Sequence, residues 1–348
     1  MEKRKEKIDF VVTWVDGNDP EWYSQMLQTR KSFQSGKYEM AGSHINAEHR
    51  YRDLGLLRYW FRGVEQFAPW VNKIYFVTCG QKPEWLNANH PKLVLVNHED
   101  YIPHEWLPTF NSDVIELNLH RISELSEYFV LFNDDTFLLR PVNPEFYFKN
   151  SLPVLPSNLN IGRYFRNDSD GRKIFNMSAI INEHFDVISS IKKNKDKWFG
   201  LGKLGVKIAV RNFLCYKINK IMPVWHYEHL PMPHLKSTFQ EVWDEYPEFM
   251  ADVSRAAFRP KSGGVNHWLI AGWNTAKGLF SPVRLNVRGE IKYNLSDENT
   301  RDFCRCIEKQ SLPQICLTDV GNDNLDECFN KIGKAFEQIL PEASSFEL

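Results

Sequence analysis

Apolar positions in the first 150 residues alternate between two spacings. The run Ile8-Asp9-Phe10-Val11-Val12-Thr13-Trp14-Val15 is β-branched and aromatic and breaks at Asp16-Gly17-Asn18-Asp19-Pro20, which predicts a first strand ending in carboxylates. Leu56, Leu57, Trp60, Val64 and Phe67 recur at helical spacing and predict a helix over 53–67. Short apolar runs at 73–78 and 92–97 predict two more strands, with a short helix between them at 83–87. Further helices are predicted over 112–125 and over 235–246, the latter with Phe239, Val242 and Trp243 on its core face. The run from Tyr128 stops on Asn133, Asp134 and Asp135, then resumes as Thr136-Phe137-Leu138-Leu139.

Strands alternating with helices predict an α/β fold, a doubly wound and mostly parallel sheet with helical insertions. A buried parallel strand that ends in acids opens at its carboxyl end into the crevice where such sheets bind ligands. The competing reading is an Asx turn with solvated acids. We expect one catalytic domain over 1–348: an α/β core at 8–150, a variable and basic helical insertion at 151–224, and a segment 225–348 that completes the site and adds C-terminal helices.

Composition narrows the class. At 348 residues and 43% hydrophobic the chain can bury a large core, and 43 basic against 44 acidic residues leave no overall polyanion-binding charge. Within 191–220, however, nine Lys or Arg stand against the single acid Asp196. That run is either a solvated face or a contact with an anionic acceptor or the inner leaflet of a membrane. No nucleic-acid-binding module accompanies it, so nucleic acid is not expected as a partner. Six cysteines are too sparse for a disulfide scaffold, and the four at Cys304, Cys306, Cys316 and Cys328 lack paired zinc-knuckle spacing. No apolar run approaches the roughly 18 residues of a spanning helix, so a cytoplasmic protein is expected.

Three polar clusters interrupt the core pattern: Asp16-Gly17-Asn18-Asp19, Asn133-Asp134-Asp135, and the block from Trp225 to His234. Asn133-x-Asp135 is close to an acid-x-acid arrangement, whose oxygens would hold Mg²⁺ or Mn²⁺ against a nucleotide diphosphate. His226, His229 and His234 match no zincin spacing, and Pro231 and Pro233 exclude a regular helix through them. A single histidine on a rigid turn is the better candidate for proton transfer, and His234 is the choice. Arg259, just before the flexible Gly263-Gly264 pair, is a candidate phosphate clamp, and Arg50 and Arg52, with His49 nearby, are further candidates for binding negative charge.

Four blocks together resemble the Stealth family, bacterial capsular polysaccharide phosphotransferases related to the animal N-acetylglucosamine-1-phosphotransferase. They are residues 8–20; residues 50–59 continuing through Ala68-Pro69-Trp70, residues 74–78, Pro108-Thr109-Phe110 and Asn133-Asp134-Asp135; Met232-Pro233-His234 through Arg259; and Cys316-Leu317-Thr318-Asp319 onward. The resemblance implies a nucleotide-sugar-binding core and transfer of a hexose 1-phosphate, or an N-acetylhexosamine 1-phosphate, from a UDP-sugar. The acceptor would be a saccharide hydroxyl, free or lipid-linked, the product a phosphodiester, and the released nucleotide UMP. It also implies a reactive centre of Asn133, Asp135, His234 and Arg259, with the loop of Asp16, Gly17, Asn18 and Asp19 near the donor or metal. Asp134 and Asp319 then become candidate ligands for Mg²⁺, although Thr318 stands where the family pattern more often has Asn. Asp135 and His234 are alternative bases. The rival reactions are a glycosyltransferase that releases UDP and a non-catalytic saccharide-binding module.

Overall fold

A computed structural model describes residues 6–33, 39–42, 46–159, 169–219, 229–284, 289–292, 297–318 and 325–348. Four strands predicted from the apolar runs form its centre: β1 (Ile8–Thr13), β2 (Ile74–Thr78), β3 (Leu93–Asn97) and β4 (Tyr128–Asn133). They lie in the order β3-β2-β1-β4, every pair parallel. The chain leaves β1 to build β2 and β3 on one side, then returns to lay β4 on the other. The gap between the carboxyl ends of β1 and β4 is therefore the topological switch point of the sheet.

Beyond β4 the chain turns at Asp134 and Asp135, and the second apolar run leaves the central sheet. It forms β5 (Thr136–Leu138), followed by the pair β6 (Phe148–Lys149) and β7 (Leu152–Pro156). The next strand, β8 (Met232–Leu235), closes the far edge of the central sheet, antiparallel to β4. Three short strands follow: β9 (Ser281–Val283), β10 (Glu290–Lys292) and β11 (Gln314–Leu317). They give two small sheets, β10-β11-β5 and β6-β7-β9, and antiparallel pairing sets Cys316 of β11 opposite Thr136.

Successive residues of the parallel strands point to opposite faces, so each strand feeds two cores. Phe10, Val12, Ile74, Phe76, Val130 and Phe132 pack under the helix Leu57–Phe67 and the C-terminal helices Asp297–Glu308 and Leu325–Ile339. Val11, Tyr75, Val77, Phe129 and Leu131 face the helices Lys236–Glu245 and Trp268–Lys277. Residues 169–219 form a run of helices from Ser169–His184 to Val206–Asn219. The sheet is thus covered on both faces, as expected for a doubly wound α/β fold.

Two predicted helices differ from the structure for identifiable reasons. Residues 83–87 form a turn tied to the C-terminus, where Asn87 N–H donates to Phe346 C=O at 2.8 Å and Leu348 N–H to Trp85 C=O at 2.9 Å. Those tertiary bonds take the groups that a short helix would use internally. The helix expected over 112–125 is only Ser112–Leu117, followed by the single turn Leu119–Arg121. There Asn118 turns its side-chain amide back onto Val114 C=O at 2.9 Å and onto Ser254 Oγ at 3.3 Å, the kind of local competition that ends helices.

Candidate active site

Thr13 and Asn133 pair at the carboxyl ends of β1 and β4, so the loops that follow them share one crevice. The first loop is fixed by its backbone. Gln81 clamps the Asp16 peptide, accepting from its N–H at 3.0 Å and donating to its C=O at 2.9 Å. Gly17 N–H donates to Tyr51 C=O at 2.8 Å, and a Cβ at Gly17 would stand 2.3 Å from that oxygen, so only glycine permits the approach. Asp19 caps the helix Pro20–Ser32 through the amides of Trp22 and Glu21, which hold its carboxyl below the ordinary range. Its carboxylate is engaged in that cap. Gly17, Asn18 and Arg52 line a cleft of about 190 Å³ with Trp22, Tyr51 and Met26.

The second loop carries the carboxylates. Asp135 Oδ1 is buried without a hydrogen-bond partner among the described residues and lies 3.8 Å from His229 Nε2, while Oδ2 accepts from the Cys316 thiol at 3.5 Å. Asn133 Nδ2 stands 2.5 Å from the same His229 nitrogen. Burial, reinforced by Asp135 and Asp53, pushes the Asp134 carboxyl well above its usual range. Asp53 is raised in turn by burial, against the stabilising bond from Trp14 Nε1 at 3.3 Å, and feels the charge of Asp16. Asp16, Asp53, Asp134 and Asp135 thus form an electrostatically linked series of acids across the switch point.

His234 occupies a different environment. It lies in β8 opposite Phe129, fully buried, and its Nε2 is 3.0 Å from His267 Nδ1. Burial lowers its pKa to about 3, so the ring is neutral. His267 Nε2 lies 3.9 Å from Glu116, whose carboxyl is raised to about 8, first by burial and then by Asp113. Asp113 is itself bridged to Lys173 Nζ at 2.7 Å. Glu116 also draws on Ser112, whose Oγ accepts from Arg259 Nη2 at 2.7 Å.

Arg259 is held by its main chain: its N–H donates to Asn46 Oδ1 at 3.1 Å and its C=O accepts from Ala41 N–H at 2.9 Å. Arg50 feels both burial and the Arg259 charge, which lower its pKa, and Arg259, Arg30 and Arg50 all act on the buried Tyr51 hydroxyl. The structure therefore gathers Arg50, Arg259 and Arg30 around Tyr51, beside the Gly17 loop.

Of the residues singled out in the sequence, Asn133 and Asp135 share a contact with His229, and Arg50 and Arg259 share a basic cluster. His234 contacts His267, Phe129 and Phe239. His49 side-chain placement, His226 and Asp319 lie outside the described residues. Sequence reasoning did not single out Asp53, Glu116 or His267. Asp53 was visible as the acid closing Arg50-Tyr51-Arg52-Asp53, but Glu116 follows an ordinary helical pattern and carried no signal.

Among the described residues, Asp135, His229 and Cys316 form a cluster whose ligand atoms lie within 4.8 Å of one another, compatible with a divalent metal. The thiol of Cys316 is kept protonated by burial and by the Asp135 charge. No helix among these residues is long and apolar enough to cross a membrane.

A mostly parallel α/β sheet with linked acids at its switch point and clustered arginines beside it is the frame of this protein. The chain belongs to the Stealth family. Residues 6–34 match the family model for Stealth protein conserved region 1, and residues 50–154 match conserved region 2. It is 43% identical over 344 residues to a capsular polysaccharide phosphotransferase WcwK of Streptococcus pneumoniae, covering 98% of each chain. It is 36% identical over 352 residues to the receptor polysaccharide phosphotransferase WefC of Streptococcus oralis, covering 98% of this chain and 99% of that one. A solved structure of the bifunctional glycosyltransferase WbbM aligns over 96% of this chain and 52% of its own at 9% identity, with a TM-score of 0.34, a likeness too slight to carry an argument.

Proposed function

We propose that this enzyme transfers a hexose 1-phosphate, or an N-acetylhexosamine 1-phosphate, from a UDP-sugar to a saccharide hydroxyl in the synthesis of a capsular or other cell-surface polysaccharide. The observation that carries the reading is Asp135. It has an unpartnered buried oxygen at a sheet switch point, beside His229 and in a chain that is 43% identical to a capsular polysaccharide phosphotransferase. The acceptor hydroxyl gives its proton to Asp135 as its oxygen attacks the sugar-side phosphorus. The bond from that phosphorus to the bridging oxygen breaks, UMP departs with the bridging oxygen, and a phosphodiester remains.

His229 orients Asp135 through the contact it shares with Asn133. Arg259 and Arg50 bear the negative charge of the transferring group, Arg259 being fixed by Ser112 and Asn46. The cleft between Gly17, Trp22, Tyr51 and Arg52 receives the nucleotide end of the donor, its aromatic walls suited to a base or sugar. His234 acts through His267 as a positioning residue, because a ring closed off from solvent whose pKa is lowered to about 3 is a poor proton acceptor at neutral pH.

Carboxylate oxygens are the preferred ligands of a hard cation such as Mg²⁺ or Mn²⁺, and Asp134, whose carboxyl is raised by burial and by the charges of Asp135 and Asp53, would hold it, which leaves the open Asp135 oxygen to the acceptor proton. When bound, the ion neutralises charge on the diphosphate oxygens. Cys316, a soft thiol donor, is not part of that set. The enzyme acts in the cytoplasm on a saccharide acceptor, free or lipid-linked.

Mass spectrometry of products from a panel of UDP-sugars with an oligosaccharide acceptor tests the reading. UMP is expected with Mg²⁺ present and is lost on chelation or in Asp135→Asn. Release of UDP would assign the chain to glycosyl transfer, and consumption of no nucleotide would assign it to saccharide binding.

A further inference from the structure

Among the described residues nine large apolar side chains are exposed, and five of them, Leu201, Val206, Val210, Phe213 and Leu214, fall within 14 consecutive positions. In the helix Val206–Asn219 the last four stand at i, i+4, i+7 and i+8, which places them on one face. They are open to between 46% and 66% of their full extent, while Ala209, Asn212 and Cys215 on the opposite side are buried. Asn212 anchors that inner side, its amide donating to Ser157 C=O at 2.6 Å and Trp198 C=O at 2.9 Å. The helix is thus fixed to the body by one face and leaves its apolar face uncovered.

The same surface is cationic. Lys207 and Lys217 flank the apolar stripe, with Lys217 Nζ 5.6 Å from the Phe213 ring, and Lys203 precedes it in the adjoining turn. Lys192, Lys193 and Lys195 are exposed in the preceding helices, against one exposed acid, Asp196. Lys197 is spent inward, donating to Gly278 C=O at 2.6 Å, and Arg211 is half-buried. A purely solvated charged face has no use for five exposed apolar side chains among its lysines. A protein partner recognised by apolar contact alone would not need six lysines. Apolar side chains that can enter the acyl boundary, ringed by lysines that meet phosphate headgroups, are the chemistry of an interfacial helix.

We propose that the face of Val206, Val210, Phe213 and Leu214, with Lys203, Lys207 and Lys217, docks on a bilayer that carries anionic lipid. The inference rests on this surface alone and stands independently of the proposed reaction.

The test is sedimentation of the full-length protein with vesicles of phosphatidylcholine, or of phosphatidylcholine mixed with phosphatidylglycerol, at low and high salt. The protein is expected to pellet with the anionic vesicles and to be released in part by salt. The double substitution Lys203→Glu with Lys207→Glu should weaken binding by about ten-fold or more, since each surface lysine contributes about 1 kcal/mol near such a membrane. Phe213→Ser with Leu214→Ser should weaken binding comparably while leaving a lower-affinity, salt-sensitive component. Both variants alter exposed positions and should keep the wild-type melting temperature and UMP release with a soluble acceptor. Wild-type protein that stays in the supernatant with both vesicles would overturn the proposal, as would binding unchanged in both variants. A change of oligomeric state in the serine variant, without vesicle binding by the wild type, would assign the face to a second copy of the chain instead.

Discussion

His229 and His234 stand five residues apart around the start of β8, yet they meet opposite environments. His229 is 43% exposed and lies against Asn133 and Asp135 at the open end of the sheet. His234, fully buried, faces His267 and the aromatic rings of Phe129 and Phe239. A histidine's chemistry is set by what surrounds it: one ring meets water and a carboxylate, and the other is locked neutral as part of the interior. The proposed reaction is accordingly placed at the carboxylate end of the crevice, with the buried His234–His267–Glu116 chain behind it.

The largest expected effect is at the open end. Asp135→Asn should lower turnover by about 10³-fold with little change in melting temperature, since a general base contributes roughly 10²–10⁴. Arg259→Lys should cost roughly 10²-fold in kcat, because an ammonium cannot reproduce a guanidinium fork held by Ser112. The histidine pair then divides the comparison directly. His229→Ala is expected to lower turnover about ten-fold at unchanged stability, a modest part of the range for groups assisting proton transfer. His234→Ala should instead destabilise the fold by about 2–4 kcal/mol through a core cavity and an unpartnered His267 nitrogen. Unfolding curves and single-turnover rates for the two variants check this. The reverse pattern, with His234→Ala stable but inactive and His229→Ala unaffected, would exchange the two roles.

Much of this arrangement was legible in the sequence where period and turn chemistry coincide. The four central strands are short apolar runs bounded by turn formers, and their alternation with helices pointed to the doubly wound sheet and the crevice at its carboxyl edge. Asn133 and Asp135 stood out because an amide and two acids interrupt an otherwise apolar stretch. Illegible were features decided by partners distant in the chain. The turn at 83–87 is fixed by residues 346–348, the second apolar run joins β11 rather than the central sheet, and Glu116 meets His267 and the charge of Arg259 only in the folded chain. The choice between His229 and His234 belongs to the same class, because the register of β8 against β4, not local sequence, decides which ring reaches Asp135.

Smaller effects sharpen the view of the buried frame. Burial holds His234 near about 3 and His98 and His120 near about 4, against an ordinary value of 6.5. The unfolded chain takes up protons that the folded chain refuses in that interval, so stability should fall as pH drops from about 6.5 towards 4. Glu116 works in the opposite sense. Its carboxyl is raised from 4.5 to about 8, so its contribution is complete below 4.5 and is lost as pH rises through 8. Glu116→Gln, which imitates the protonated acid, should leave stability near pH 5 almost unchanged and make it less sensitive to alkaline pH. Urea titrations at pH 5, 7 and 8.5 would reveal a parallel loss at every pH if Glu116 were instead ionised in the fold.

The most direct test of the central claim is to follow the sugar-side phosphorus itself. With a UDP-sugar labelled at that phosphorus, the account predicts label in the saccharide product, resistant to phosphatase as a phosphodiester, with unlabelled UMP released in equal amount. Label that stays with the nucleotide as UDP, while the sugar alone reaches the acceptor, would contradict it.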